Sequence, residues 1–112
     1  MTYLYAHAQA GMFLPLLRAS QRADGAELLG LPVELYTADA FRRLYVIRDV
    51  RRHVRSFDIV NSLGGDALLL QTSETAHQTG TKLMVVARPV GAPEQVSPTE
   101  ARPAARPRNC AN

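Results

Sequence analysis

The apolar positions of this chain fall into short clusters, mostly with strand-like spacing, separated by glycines, prolines and polar turns. Tyr3-Leu4-Tyr5-Ala6-His7 alternates with period two, which predicts a strand with Tyr3, Tyr5 and His7 on one face, ended before Gly11. In Met12-Phe13-Leu14-Pro15-Leu16-Leu17 the proline suits a first helical turn, so a short helix is expected from Leu14 to Ala23, stopped by Asp24-Gly25. Gly30 and Pro32 break the apolar stretch Ala26 to Tyr36 into two short strands, 26–29 and 33–36, with a turn at Thr37-Ala38-Asp39-Ala40.

Phe41 to Phe57 is ambiguous by periodicity. On a helix, Phe41, Leu44 and Tyr45 would share one side while Ile47, Val50 and Val54 would lie nearly opposite, and Tyr45-Val46-Ile47 favours extended chain, so a strand is expected over 43–50. Residues 58–65 mix turn formers with a short apolar pair and are expected to be irregular. Ala67 to Thr72 reads as a buried strand, Ser73 to Thr81 as a polar loop, and Lys82 to Arg88 as a strand ended by Pro89. Beyond Val90 the large apolar residues nearly vanish, too few to offset the entropy of ordering. The expected organisation is one mostly β domain over 1–90 and a disordered Pro/Ala/Arg-rich tail over 91–112.

Composition narrows the class of molecule. A chain of 112 residues with 46% hydrophobic and 21% charged content is one ordinary domain. No run reaches the roughly 18–20 apolar residues of a membrane-spanning helix, and the N-terminus lacks the pattern of a secretory signal, which points to the cytoplasm or to a piece of a longer protein. The lone Cys110 excludes an internal disulfide and a cysteine-based zinc site, and no metal-ligand spacing involves His53 or His77. No cofactor is expected. The net charge of +3 is concentrated in 39–58, where Arg42, Arg43, Arg48, Arg51, Arg52 and Arg55 stand against three aspartates. Such a segment could bind a polyanion, but on a strand these side chains divide between two faces, and nucleic acid is not the expected partner.

Three elements line up with a known chemistry: a histidine ending the first strand, a strand ending in Leu70-Gln71-Thr72-Ser73, and a strand opening Gly80-Thr81-Lys82-Leu83-Met84-Val85-Val86. Their order and spacing resemble the sortase family of cell-surface transpeptidases. There a histidine, a cysteine after a Leu-x-Thr segment and an arginine opening the next strand form the active site of a small β-barrel. Tyr5-Ala6-His7 followed by Phe13-Leu14-Pro15-Leu16 is similar to the family's histidine region. The resemblance spans about residues 3–90. It implies His7 as acid/base, Ser73 at the nucleophile position, Lys82 as oxyanion stabiliser, and Thr72, Phe13 and Leu16 in binding. It further implies a sorting-signal peptide and an amine acceptor as partners, and a cell-surface location.

The departures from the family matter as much. Serine replaces the cysteine and lysine the arginine. A serine hydroxyl needs an adjacent base to become a nucleophile, and lysine lacks the guanidinium fork. The family's strands before the histidine are missing, so the barrel is expected to be incomplete, with an open edge that invites a partner chain or a homodimer. The reading is therefore a sortase-like domain with weak or absent transpeptidation, with a non-catalytic peptide- or protein-binding module as the alternative. A lesser alternative is the PilZ family of cyclic-dinucleotide binders, which Arg51-x-x-x-Arg55 and Ser62-Leu63-Gly64-Gly65 resemble. Val60 stands where that family has Asp or Asn, and the gap from Arg55 to Ser62 is too short for its intervening strands.

Overall fold

A computed structural model describes residues 1–74 and 80–101. Strand β1 (Thr2–Tyr5) is followed by helix α1 (Leu14–Ser20) and a 3-10 segment (Arg22–Leu28). Next come β2 (Pro32–Thr37), the long β3 (Phe41–Val54), the short helix α2 (Asp58–Ser62), β4 (Leu68–Ser73), β5 (Lys82–Pro89) and β6 (Glu94–Gln95). The strands form one curled half-barrel sheet in the order β1-β4-β5-β3-β2, with β6 paired to β3. Only β1–β4 is parallel, with Thr2 opposite Leu68 and Tyr5 opposite Gln71; the other pairs are antiparallel.

β4 is buried along its whole length because both faces of the sheet are covered. On one face Leu68, Leu70, Leu83, Val85 and Ala87 pack with Tyr45 and Ile47 against Leu17 of α1 and Leu28 of the 3-10 segment. On the other, Leu69, Met84 and Val86 pack against Ile59 of α2. The sheet thus has an α1 face and an α2 face. A strand buried on both sides reads as a continuous apolar run, which is why β4 and β5 were visible in the sequence.

β3 is longer than the expected 43–50 because it carries two irregularities. Ile47 faces Ala87 but Asp49 already faces Val86, and Arg51 faces Met84 while Val54 faces Lys82. Each leaves one residue of β3 unopposed, a β-bulge. The first lets Ile47 and Val50 both join the α1-face core although they are three apart. The second contains His53, whose φ of 58° is left-handed.

Three other expectations are corrected. The helix ends at Ser20, short of Ala23, because Ala23, Asp24 and Gly25 are successively left-handed (φ 49°, 52° and 86°) and turn the chain through a 3-10 segment. Residues 26–28 belong to that segment and form no strand. Within the expected irregular stretch 58–65, α2 forms and seats Ile59, which is 4% exposed, over the sheet.

The placed chain also continues past 90. β6 pairs Glu94 with Arg42 and Gln95 with Phe41, and Val96 donates its N–H to the Ala40 carbonyl at 2.9 Å. Residues 102–112, with Cys110, lie outside the described residues, as does His77. Among the described residues no helix is long and apolar enough to cross a membrane.

Candidate functional site at the β4–β5 end

Ser73 ends β4 and Lys82 opens β5, and the two are register partners in the antiparallel pair. Partners in such a ladder point to the same face, so both side chains lie on the α2 face. Lys82 Nζ donates a hydrogen bond to Ser73 Oγ at 2.9 Å. Ser73 is completely buried, while Lys82 is half-buried.

His7 lies just past the end of β1. Tyr5 is opposite Gln71, which shares the α2 face with Ser73, and the rings of Tyr5 and His7 meet edge to face with centroids 5.7 Å apart. The imidazole is 4% exposed, and neither ring nitrogen has a hydrogen-bond partner among the described residues. Gln71 Oε1, two residues before Ser73, is likewise buried without a partner. Buried polar atoms are nearly always paired, so these orphaned groups call for an explanation. No hydrogen bond joins His7 to Ser73.

The residues expected in binding sit elsewhere. Thr72 alternates with Ser73 and so points to the α1 face, fully buried, with its hydroxyl unpaired. Phe13 and Leu16 are partly buried against the core of that same face. The sheet therefore lies between these three and the Ser73–Lys82 pair.

A small recess of about 130 Å³ opens beside Lys82, lined by Val54, Arg55, Ser56, Phe57, Gly80, Lys82 and Met84. Its walls are largely apolar with cations at the rim. Phe57 is 55% exposed, which leaves an aromatic surface at its mouth.

A second cluster, which the sequence did not announce, adjoins this end of the sheet. The Glu74 carboxylate accepts hydrogen bonds from the His53 backbone N–H at 2.7 Å and from Thr81 Oγ at 2.6 Å, and lies 3.1 Å from His53 Nδ1. The Glu74 side chain is 9% exposed whereas that of His53 is 66% exposed. The signal available in sequence was only adjacency: Glu74 follows Ser73, and Thr81 precedes Lys82.

The arginine-rich segment forms no uniform stripe. Arg52 pairs with Asp24 at 2.6 Å and Arg43 with Asp66 at 2.8 Å, while Arg51 pairs with Asp49 at 2.9 Å and Arg42 with Glu94. Arg51, opposite Met84, lies on the α2 face, and Arg52 reaches the 3-10 segment on the α1 face. Among the described residues no group of three or more His, Cys, Asp or Glu side chains is arranged to hold a metal ion. Comparison with protein-family models, curated proteins and solved structures gives no match for this chain.

Proposed function

We propose that this chain is a sortase-like domain in which transpeptidation is weak or absent. The observation that carries the reading is the 2.9 Å hydrogen bond from Lys82 Nζ to Ser73 Oγ, with a buried His7, its ring nitrogens without hydrogen-bond partners among the described residues, just past the strand that pairs with β4. Two of the three positions that the resemblance assigns to chemistry, Ser73 and Lys82, are in contact, and the third, His7, follows the strand that pairs with β4.

The details of the pair support low activity. Acyl transfer by a hydroxyl needs a base to take its proton and an open approach for the substrate carbonyl. Ser73 Oγ has neither in this arrangement: it is fully buried, it accepts from a lysine, and it has no hydrogen bond to His7. Lys82, a point donor beside Ser73, supports the oxyanion-stabilising role but lacks a guanidinium fork.

A Ser73→Cys variant would restore the missing nucleophile. Its thiolate would attack the scissile carbonyl of a sorting peptide, with Lys82 stabilising the oxyanion. The C–N bond would then break, and the leaving amine would take a proton from protonated His7. Attack of an acceptor amine on the thioester would return a proton to His7 and regenerate the thiolate. On this reading the domain works at the cell surface.

The recess beside Lys82 supports the second reading, a module that holds a peptide without chemistry. It offers an apolar seat for one side chain of an extended chain, next to two cations.

The test compares the unmodified protein with Ser73→Cys on a panel of sorting-type peptides, following cleavage, thioester formation by mass spectrometry, and binding. Turnover confined to the cysteine variant, and slow there because position 73 stays buried, is the expected result. Rapid turnover by the unmodified protein would overturn the claim of low activity. Silence from both folded proteins would overturn the transpeptidase reading, and peptide binding that survives His7→Ala would favour the binding module.

A further inference from the structure

β1 is a terminal strand with a neighbour on one side only. Thr2 N–H bonds to the Ala67 carbonyl at 2.8 Å and Ala6 N–H to the Gln71 carbonyl at 3.2 Å. In a parallel ladder alternate residues face the partner strand, so Leu4 also faces β4, while the N–H and C=O groups of Tyr3 and Tyr5 point outward from the sheet. The side chains here are exposed as well: Tyr3 37%, Leu4 37% and Tyr5 45%.

Edges left open in this way are usually protected by charge, proline or a bulge. The opposite terminal strand is protected: β2 opens with Pro32 and carries Glu34. β1 has none of these devices, and no Asp, Glu, Lys or Arg occurs before Arg18.

The sequence of β1 is also symmetric about its centre, Tyr3-Leu4-Tyr5. We propose that the outer edge of β1 pairs antiparallel with β1 of a second copy of this chain, about a two-fold axis at Leu4. Tyr3 then stands opposite Tyr5 of the other copy, and these are the residues whose backbone groups point outward. Each such pair exchanges both N–H···O bonds, and the rings stack as cross-strand aromatic pairs on the α2 face. Leu4 meets Leu4 of the other copy at the close, non-hydrogen-bonded position. A one-residue slip would set inward-facing groups against outward-facing ones, so the backbone and the side chains select the same register. With no charged side chain on either strand, two copies meet without repulsion. A four-residue strand makes a small interface, so the dimer is weak and concentration-dependent.

The experiment uses the full chain in sedimentation velocity over a wide concentration series, beside two variants. Tyr5→Pro removes an outward N–H without removing a bond to β4, and it is expected to abolish the dimer. Leu4→Cys, in a Cys110→Ser background, sets two thiols on Cα atoms roughly 4.5 Å apart, close enough to form an interchain disulfide under mild oxidation. Tyr3→Cys in the same background is offset from its own copy and is expected to cross-link far more slowly. A chain that stays monomeric throughout, a dimer undiminished in folded Tyr5→Pro, or equal cross-linking at positions 3 and 4 would each overturn the proposal. Should Tyr5→Pro fail to fold, the cysteine pair decides.

Discussion

Glu74 grips His53 at two points, taking its backbone N–H at 2.7 Å and facing its Nδ1 at 3.1 Å. The second β3 bulge, with its left-handed residue, is thereby tied to the end of the β4–β5 pair that holds Ser73 and Lys82. Left-handed backbone at a non-glycine residue costs energy and persists where the surroundings over-determine it. Glu74→Ala removes the acceptor for both the His53 N–H and Thr81 Oγ, and is expected to cost about 1–3 kcal/mol. Glu74→Gln, which keeps a carbonyl acceptor, should cost less. Urea unfolding midpoints decide: equal midpoints for wild type and Glu74→Ala would show that the grip does not stabilise the fold.

Gly25 is required twice over. Its φ is 86°, and a Cβ built there would lie 2.7 Å from Val50 Cγ1. Gly25→Ala is expected to lose about 2–4 kcal/mol, from backbone strain and overpacking together. Adding Val50→Ala should recover the steric part only, so the double variant ought to be less destabilised than the sum of the singles. Simple additivity in denaturation would contradict this.

Ala40 closes the β2–β3 turn with φ 65°, where its N–H bonds to the Thr37 carbonyl at 3.1 Å. Three-residue hairpin loops favour glycine at this left-handed position. Ala40→Gly relieves the strain and gives back part of the gain in unfolded-state entropy, for a net stabilisation of up to about 1 kcal/mol. A lowered melting temperature would refute it.

The Tyr3 hydroxyl has its pKa raised above the ordinary 10.0, first by partial burial and then by its neighbour Tyr5. The folded state therefore keeps this proton to higher pH than the unfolded state. The associated stability is fully present below about pH 10 and is lost as pH climbs through the raised value. The effect is small because the side chain is partly exposed. Tyr3→Phe should flatten the alkaline fall in stability, and an unchanged slope would assign that fall to other groups.

The strands β4 and β5 were legible as compact apolar runs, and it is their antiparallel pairing that sets Ser73 against Lys82. His7 lies beyond the end of β1, and only its edge-to-face contact ties it to Tyr5. What the sequence hid arose where alternation breaks. The β3 bulges bring Ile47 and Val50 to one face, defeating both helical and strand periodicity over 41–57. The left-handed run at 23–25 has no marker except Asp24-Gly25, so residues 26–28 looked like a strand. Glu74 and His53 are joined only because the second bulge carries β3 to the end of β4, a relationship that no local motif encodes.

The single parallel pairing also bears on how the domain assembles. The β2–β3 hairpin is local in sequence, and β4 and β5 are neighbours, whereas joining Thr2 to Leu68 closes about three fifths of the chain into a loop. Loop closure of that kind is paid in entropy before contacts repay it. β1 is thus expected to dock last and to leave first. Exchange of the Leu4 amide with solvent should need less free energy than exchange of Val85 in the centre of the sheet. Each such opening bares the apolar flank of β4, which makes the histidine-bearing end of the chain its own detachable cover.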